Sequence, residues 1–436
     1  MSIDRRTSST PFLFAILGLA VVTVLFPAPP SNAQSLANTA APQTAAPSAA
    51  SQSWNIVFGR NMIAPSQMLD GITPQNIFAV NVNTGSPEIE LTNDDMSTHP
   101  VWSPDGKKIA FVREGKSSGI FVMDADGRNV RRVTEGLIWV GTLSWSPDSK
   151  KLAFDINTVR HFGLQPEGLT HPIYIVDITG DRPPQLLIDG GASPSWAPDG
   201  AQIVYTCIRK SSAGMEFASV CSIPTTANST PRVLISQARN PSWSPDGQQI
   251  LYISTANREP ELFVAQADGS DPRRISDARY DVIAAAWSPD GKHVAYTSTR
   301  VMDGGFSTVA QFEGADFGPF QGDSQGINPA ITQTAQRHPV SLSKKLPELF
   351  VANADGSGVV HLGVKQNVWC NGFSWSPDSE SIAGLCGSGF YNKSGGMRVA
   401  SADSIFVLST SRPNSKPRII ARTGIESVNS AATASQ

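Results

Sequence analysis

Val101-Trp102-Ser103-Pro104-Asp105-Gly106 runs straight into Lys107-Lys108-Ile109-Ala110-Phe111-Val112. Pro104 presets its backbone angle for the second position of a type I turn. Asp105 suits the third position, and Gly106 can take the left-handed conformation that follows. The stretch reads as a hairpin turn between two strands, with Trp102 near the end of the first. Trp-Ser-Pro-Asp starts again at Trp145, Trp243, Trp287 and Trp375, and a Trp-Ala-Pro-Asp variant starts at Trp196. Successive starts lie 43, 51, 47, 44 and 88 residues apart, the last being about two periods. A period of this length is that of one four-stranded propeller blade. Ser149 and Ser379 stand where the other copies have glycine. Each costs about 1 kcal/mol if the left-handed angle persists there.

The rest of the unit fits the same blade. Gly-Ile-Phe-Val-Met-Asp (119–124) is a β-prone third strand, Asp126-Gly127 a tight turn, and Arg-Arg-Val-Thr (131–134) a fourth strand. Leu-Phe-Val-Ala-Gln-Ala-Asp-Gly (262–269) and Leu-Phe-Val-Ala-Asn-Ala-Asp-Gly (349–356) repeat the third strand and its turn. Structural roles account for these Trp, Asp and Gly residues: apolar fill between blades, and turn chemistry. The segment 54–92 reads as a blade without its first strand, with strands at 56–58, 77–80 and 90–92. The blade after Trp375 is complete, with later strands at 381–385, 405–408 and 418–420. The expectation is an all-β propeller of seven four-stranded blades, with six plus an irregular sheet as the alternative. The missing first strand is expected from the C-terminal residues 425–434. The 88-residue gap contains an insertion at about 301–346, rich in Gly, Gln, Ser and Pro, inside one hairpin.

These repeats resemble the β-propeller repeats of TolB and related WD40-like periplasmic proteins, over roughly residues 54–424. The resemblance implies a propeller used for protein–protein contact in the cell envelope. In its family TolB docks a peptidoglycan-associated lipoprotein. TolB carries an α/β domain ahead of a six-bladed propeller, whereas here a short spacer precedes residue 54. That difference puts membership of the Tol–Pal machinery in question.

The chain has 436 residues, 16% of them charged, and a formal net charge of −3. It lacks the basic stripe that nucleic-acid binding demands. Arg5 and Arg6 precede an apolar run from Phe12 to Phe26, and Ser31-Asn32-Ala33 offers small residues at a cleavage site. Residues 1–33 are expected to be a signal peptide, because the run is short for spanning a membrane core of about 30 Å. No membrane span is expected after cleavage. Residues 34–53, rich in Ala, Ser, Gln and Pro, read as a disordered spacer, and 54–436 as the propeller. A periplasmic or secreted protein can hold disulfides. Cys207 and Cys221 flank one hairpin. If Ser376 pairs with Glu380 across its turn, a ladder without slips brings Cys370 opposite Cys386. Two bonds are expected, Cys207–Cys221 and Cys370–Cys386.

The long connections, about 157–172, 209–217, 301–346 and 387–403, all open on one face of such a ring, while the opposite turns are minimal. One-sided elaboration marks the face that binds something. Trp139, Arg239, Tyr280, Asp281 and Trp369 are expected to ring the channel mouth there, since aromatic and Arg residues anchor interfaces. The expected partner is an envelope protein or peptide. His99, His161 and His171 lie on loops of this face. Propeller lyases acting on oligogalacturonate hold a metal through His residues, which makes a carbohydrate-active lyase the alternative. His99 and His171 each precede a proline and no ligand spacing is diagnostic, so no metal, cofactor or catalytic residue is assigned. Gly115-Lys-Ser-Ser-Gly119 matches the letters of a nucleophile elbow but falls in a hairpin, and Asp124-Ala-Asp126-Gly127 lacks the closing Glu of a calcium loop.

Overall fold

The computed structural model describes residues 22–24, 55–61, 75–82, 87–115, 118–136, 140–156, 171–210, 216–226, 229–257, 260–276, 280–300, 348–362, 368–391 and 397–422. They form seven four-stranded antiparallel sheets, each built from consecutive strands. Blade 1 comprises Val22–Val24, Asn55–Asn61, Gln75–Asn81 and Ile89–Glu90. Blade 2 comprises Ser97–Trp102, Lys108–Arg113, Gly119–Asp124 and Arg131–Arg132. Blade 3 comprises Val140–Trp145, Lys151–Ile156, Ile173–Asp177 and Gln185–Ile188. Blade 4 comprises Gly191–Trp196, Gln202–Lys210, Glu216–Pro224 and Arg232–Ser236. Blade 5 comprises Ala238–Trp243, Gln249–Ser254, Glu261–Gln266 and Arg273–Arg274. Blade 6 comprises Tyr280–Trp287, His293–Arg300, Glu348–Asn353 and Val360–Leu362. Blade 7 comprises Val368–Trp375, Ser381–Tyr391, Met397–Ser409 and Arg418–Arg422. First strands of neighbouring blades lie against one another around the ring axis, and fourth strands form the rim.

The motif turn behaves as its sequence dictates. Gly106 N–H donates to Ser103 O at 2.9 Å, and Gly106 sits at φ 68°. The Ser103 hydroxyl donates to Asp105 Oδ1 at 2.7 Å, and Lys107 N–H donates to the same oxygen at 3.1 Å. The same bonds recur at Ser146/Asp148, Ser244/Asp246, Ser288/Asp290 and Ser376/Asp378. They hold several carboxyls below the usual range. For Asp148 and Asp246 the Ser hydroxyl is the main cause. For Asp105 and Asp290 desolvation is the largest effect and pushes upward, but the hydroxyl, amide and cation contacts together outweigh it. A folded pKa below the unfolded one stabilises above that unfolded value, and the gain is lost as pH falls through the folded value. The melting temperature is therefore expected to hold at neutral pH and fall from about pH 5 downward, which a calorimetric pH series checks.

Ser149 and Ser379 keep the left-handed angle, with φ of 58° and 62°. The structure supplies an offset. Ser149 Oγ accepts from Asp105 N–H of the preceding blade at 3.1 Å, and Ser379 Oγ accepts from Asp290 N–H at 3.2 Å. Ser149→Ala keeps the strain and loses the bond, a cost of about 1 kcal/mol. Ser149→Gly loses both, so its urea midpoint should match the parent within the equivalent of about 0.5 kcal/mol.

The core is divided among the blade interfaces. Seven buried clusters lie one between each neighbouring pair of blades. The cluster between blades 2 and 3 joins Ala110, Ile120 and Val122 to Leu143, Trp145 and Phe154. The cluster of Ile56, Phe58, Phe78, Ala383 and Ile405 joins blade 1 to blade 7 and closes the ring. Three motif indoles stitch across interfaces. Trp145 Nε1 donates to Val101 O at 3.1 Å, Trp287 Nε1 to Ser242 O at 3.4 Å, and Trp375 Nε1 to Ala286 O at 3.2 Å.

Three expectations need correction. The missing first strand of blade 1 comes from Val22–Val24 rather than from 425–434. The β-branched triplet Val-Thr-Val suits an open sheet edge, and Val24 pairs opposite Ile56 as Trp102 pairs opposite Ile109. The stretch expected as a loop at 387–403 is largely strand, because the second and third strands of blade 7 run on to Tyr391 and from Met397. Both disulfides form, but not by the expected register. Trp375 pairs with Ile382, one residue out of step with a Ser376–Glu380 pairing, and a bulge at Asn371 takes up the slip so that Cys370 faces Cys386. Cys207 pairs opposite Ser219 and Tyr205 opposite Cys221, so the first bond is diagonal, with Cα atoms 5.8 Å apart. The insertion at 301–346, the spacer at 34–53 and the rest of the expected signal peptide lie outside the described residues.

Candidate functional site

The first strands of blades 2 to 7 share a defect. Each carries one extra residue, three to four positions before its Trp, relative to the second strand it pairs with. In three blades the bulge holds a non-glycine residue in the left-handed region directly ahead of a proline: His99 at φ 52°, Ser193 at 53° and Asn240 at 52°. That conformation is costly for these residue types, and a following proline restricts the residue further. Such strain is tolerated where surrounding structure over-determines it, and it concentrates at functional sites. Here Thr206 Oγ1 of blade 4 accepts from Asn240 N–H of blade 5 at 2.9 Å. In blade 3 the buried Asp155 accepts from Thr142 N–H at 2.7 Å. A Cβ on Gly141 would lie 2.7 Å from Asp155 Oδ2, so glycine is required at that close approach.

His99, Ser193 and Asn240 are half-buried, on strands that surround the ring axis. Arg239 and Asp281 lie on the first strands of adjacent blades 5 and 6, opposite Ile253 and Thr299. Burial lowers the Arg239 guanidinium to about 10, still charged at neutral pH. Asp281 is buried, and its carbonyl accepts from Ser298 Oγ at 2.9 Å. The first strands thus carry an imidazole, a hydroxyl, an amide, a guanidinium and a carboxylate around one axis, the first three at bulges and the last two on the ladder. This is hydrogen-bonding chemistry at fixed positions, suited to polar recognition.

Of the residues expected to ring the channel mouth, Arg239 and Asp281 lie on the first strands of blades 5 and 6. Tyr280 and Trp369 begin or nearly begin first strands, opposite Arg300 and Gly387. Trp139 lies outside the described residues. His161 does too, while His171 serves through its backbone, accepting from Gly191 N–H at 2.6 Å where blade 3 hands over to blade 4. His99 Nδ1 lies 2.9 Å from Thr98 Oγ1. Among the described residues no three His, Cys, Asp or Glu side chains are grouped to hold a metal ion. Ser193 and Asn240 were not foreseen. Their signal was a residue-Pro pair placed before the motif Trp, as in His99-Pro100, Ser193-Pro194 and Asn240-Pro241.

Comparison with known proteins adds family evidence. The family model of the TolB β-propeller domain matches residues 173–306. Over 101 residues the chain is 37% identical to the Tol-Pal system protein TolB of Gluconobacter oxydans, covering 23% of this chain and 22% of that protein. Over 84 residues it is 31% identical to the uncharacterized peptidase YuxL of Bacillus subtilis, covering 19% of this chain and 13% of that protein. The matches thus span less than a quarter of either relative. Among solved structures, the β-propeller domain of the trilobed protease from Pyrococcus furiosus superposes with a TM-score of 0.52 at 16% identity, over 85% of this chain and 92% of that one. That likeness concerns fold alone.

Proposed function

We propose that this seven-bladed β-propeller, part of which matches the TolB β-propeller family model, acts as an exported, non-catalytic binding protein of the cell envelope. Its partner is a protein or peptide held at the loop-rich face, where the first strands begin. The observation that carries this reading is the ring of strained, half-buried polar residues His99, Ser193 and Asn240 beside Arg239 and Asp281. The residue-Pro bulges hold donors and acceptors rigidly around one axis. Recognition needs that arrangement, whereas packing alone would favour glycine there. The apolar run at 12–26 with small residues at 31–33 supports export. The relatives include a Tol-Pal system protein and an uncharacterized peptidase.

Affinity capture from envelope extract tests the reading. Trp139→Ala/Trp369→Ala is expected to lose the partner recovered with the parent, and Ser149→Ala, on the opposite face, to keep it. Retention of every partner by the double variant would overturn the site. The alternative, a metal-dependent oligosaccharide lyase, expects a stoichiometric transition metal in purified protein and activity on an oligosaccharide panel. Either result would replace the binding reading.

A further inference from the structure

One aromatic position recurs around the propeller and fails in a single blade. In five blades a second-strand ring stacks on the third-strand ring directly opposite it. The pairs are Phe58 with Phe78, Phe111 with Phe121, Phe154 with Tyr174, Tyr252 with Phe263 and Tyr296 with Phe350, with centroids 5.2 to 6.1 Å apart. Blade 7 keeps the third-strand ring, Phe406, opposite Gly384. Blade 4 supplies the second-strand ring, Tyr205, but the residue opposite is Cys221. Cys221 is bonded to Cys207, and half a cystine fills less space than a phenyl side chain. Tyr205 therefore lacks the ring that its equivalents stack on.

A cavity of about 310 Å³ borders Tyr205 and the disulfide. Space of that size is uncommon between packed sheets. Buried Tyr205, Cys207 and Cys221 line its depth, half-buried Ile188 and Val233 its sides, and exposed Asp189 its edge. Gly190 also borders it, and a Cβ there would meet nothing within 4 Å. Asp189 and Gly190 form the connection from blade 3 into the first strand of blade 4, so the cavity opens on the loop-rich face, away from the ring axis. The Asp189 carboxylate has no hydrogen-bond or ion-pair partner among the described residues. The cavity thus combines an unstacked aromatic ring, apolar walls and an uncompensated negative charge.

We propose that this cavity between blades 3 and 4 binds an aromatic side chain of the partner polypeptide, with a Lys or Arg next to that ring pairing with Asp189. The inference rests on the reading that a protein or peptide binds the loop-rich face. The six other blades show which chemistry fits the space, since each puts a third-strand ring there. In blade 4 the cystine holds the two strands together without filling the position, and the partner supplies the ring. Burying one aromatic side chain in a preformed apolar pocket makes it an anchor of the interface. Asp189 selects a basic neighbour for it, and as an exposed group it contributes a smaller, salt-sensitive share.

The probe is the capped dipeptide acetyl-Lys-Trp-amide, titrated into the full chain by saturation-transfer NMR. The parent is expected to bind it, and to bind acetyl-Lys-Ala-amide at least tenfold more weakly. Cys207→Ala/Cys221→Phe restores the pair that Tyr252 and Phe263 make in blade 5, and should lose at least tenfold in affinity. Cys207→Ala/Cys221→Ala also lacks the disulfide but leaves the space open, and should keep the affinity. Gly190→Asn closes the entrance without touching the disulfide, at a left-handed φ of 85° that asparagine tolerates. It should lose binding too, and it keeps the test decisive if the phenylalanine variant does not fold. Asp189→Asn should weaken the dipeptide about two- to fivefold and remove its salt dependence. No binding by the parent, or equal binding by the parent and the filled variants, overturns the proposal. Envelope capture separates it from the reading beneath it. A filled variant that loses the dipeptide but recovers every partner overturns the cavity as the anchor and leaves the binding reading standing. If the parent recovers no partner at all, the binding reading fails, while the dipeptide still decides whether the cavity takes a ring.

Discussion

Trp375→Ala is expected to cost about 3–5 kcal/mol, the range for truncating a large buried aromatic. Trp375 is 2% exposed and sits between blades 6 and 7 with Leu349, Val351, Phe406 and Leu408. Those side chains come from two sheets whose backbones are fixed by their own ladders, so the space left behind cannot collapse fully. The Nε1–H bond to Ala286 O adds about 1 kcal/mol, because that carbonyl would otherwise lose its partner across the interface. Trp196, in the variant copy Trp-Ala-Pro-Asp, is a useful contrast. It is only half-buried, lies at the margin of the cluster between blades 3 and 4, and its Nε1 has no partner among the described residues. Its turn also lacks the serine that bonds Asp105 and its equivalents. Trp196→Ala should therefore cost about half as much as Trp375→Ala, by denaturant midpoints at matched slope. Equal losses would mean that the repeated Trp acts through its own blade rather than through the interface.

How much of this was legible in the sequence differs by element. The turn and the blade count were, because Ser103, Pro104, Asp105 and Gly106 act within one turn and their spacing repeats. The identity of the first strand in blade 1 was not. A three-residue Val-Thr-Val strand has no periodicity to detect, and its placement depends on an edge formed by residues 55–61. The disulfide between Cys370 and Cys386 was anticipated from a slip-free ladder that the structure does not have. The bulge at Asn371 corrected an error of one residue in the turn. The same bulge explains why the polar ring was half-visible. Arg239 and Asp281 stood out by residue type. His99, Ser193 and Asn240 acquire meaning only when their backbone angles show a left-handed residue ahead of a proline at the bulge in each strand. The extended hairpin of blade 7 was missed because Gly387, Ser388 and Gly389 read as loop, although strand pairing with 399–401 overrides their weak β-propensity.

Removing the blade 7 disulfide should change what a neighbouring glycine tolerates. Cys370→Ala/Cys386→Ala is expected to cost about 3 kcal/mol from the loop it closes, whose ends are 16 residues apart. Both sulfurs are buried in the cluster between blades 6 and 7, so the loss includes packing as well as chain entropy. Gly384 lies beneath them. A Cβ there would sit 2.7 Å from Cys386 Sγ and 3.3 Å from Cys370 Sγ. A bonded sulfur cannot swing aside as a free side chain would, so Gly384→Ala in the parent forces the strand or the disulfide to move, at about 1–3 kcal/mol. In the Cys370→Ala/Cys386→Ala background the same methyl group enters space the sulfurs have vacated, and its cost should vanish or reverse. The two changes should therefore be non-additive by at least about 1 kcal/mol in a double-mutant cycle measured by denaturant midpoints. Additivity would show that the glycine is needed for the 3.2 Å approach of Gly372 O instead, and that the disulfide is incidental to how the first two strands of blade 7 fit together.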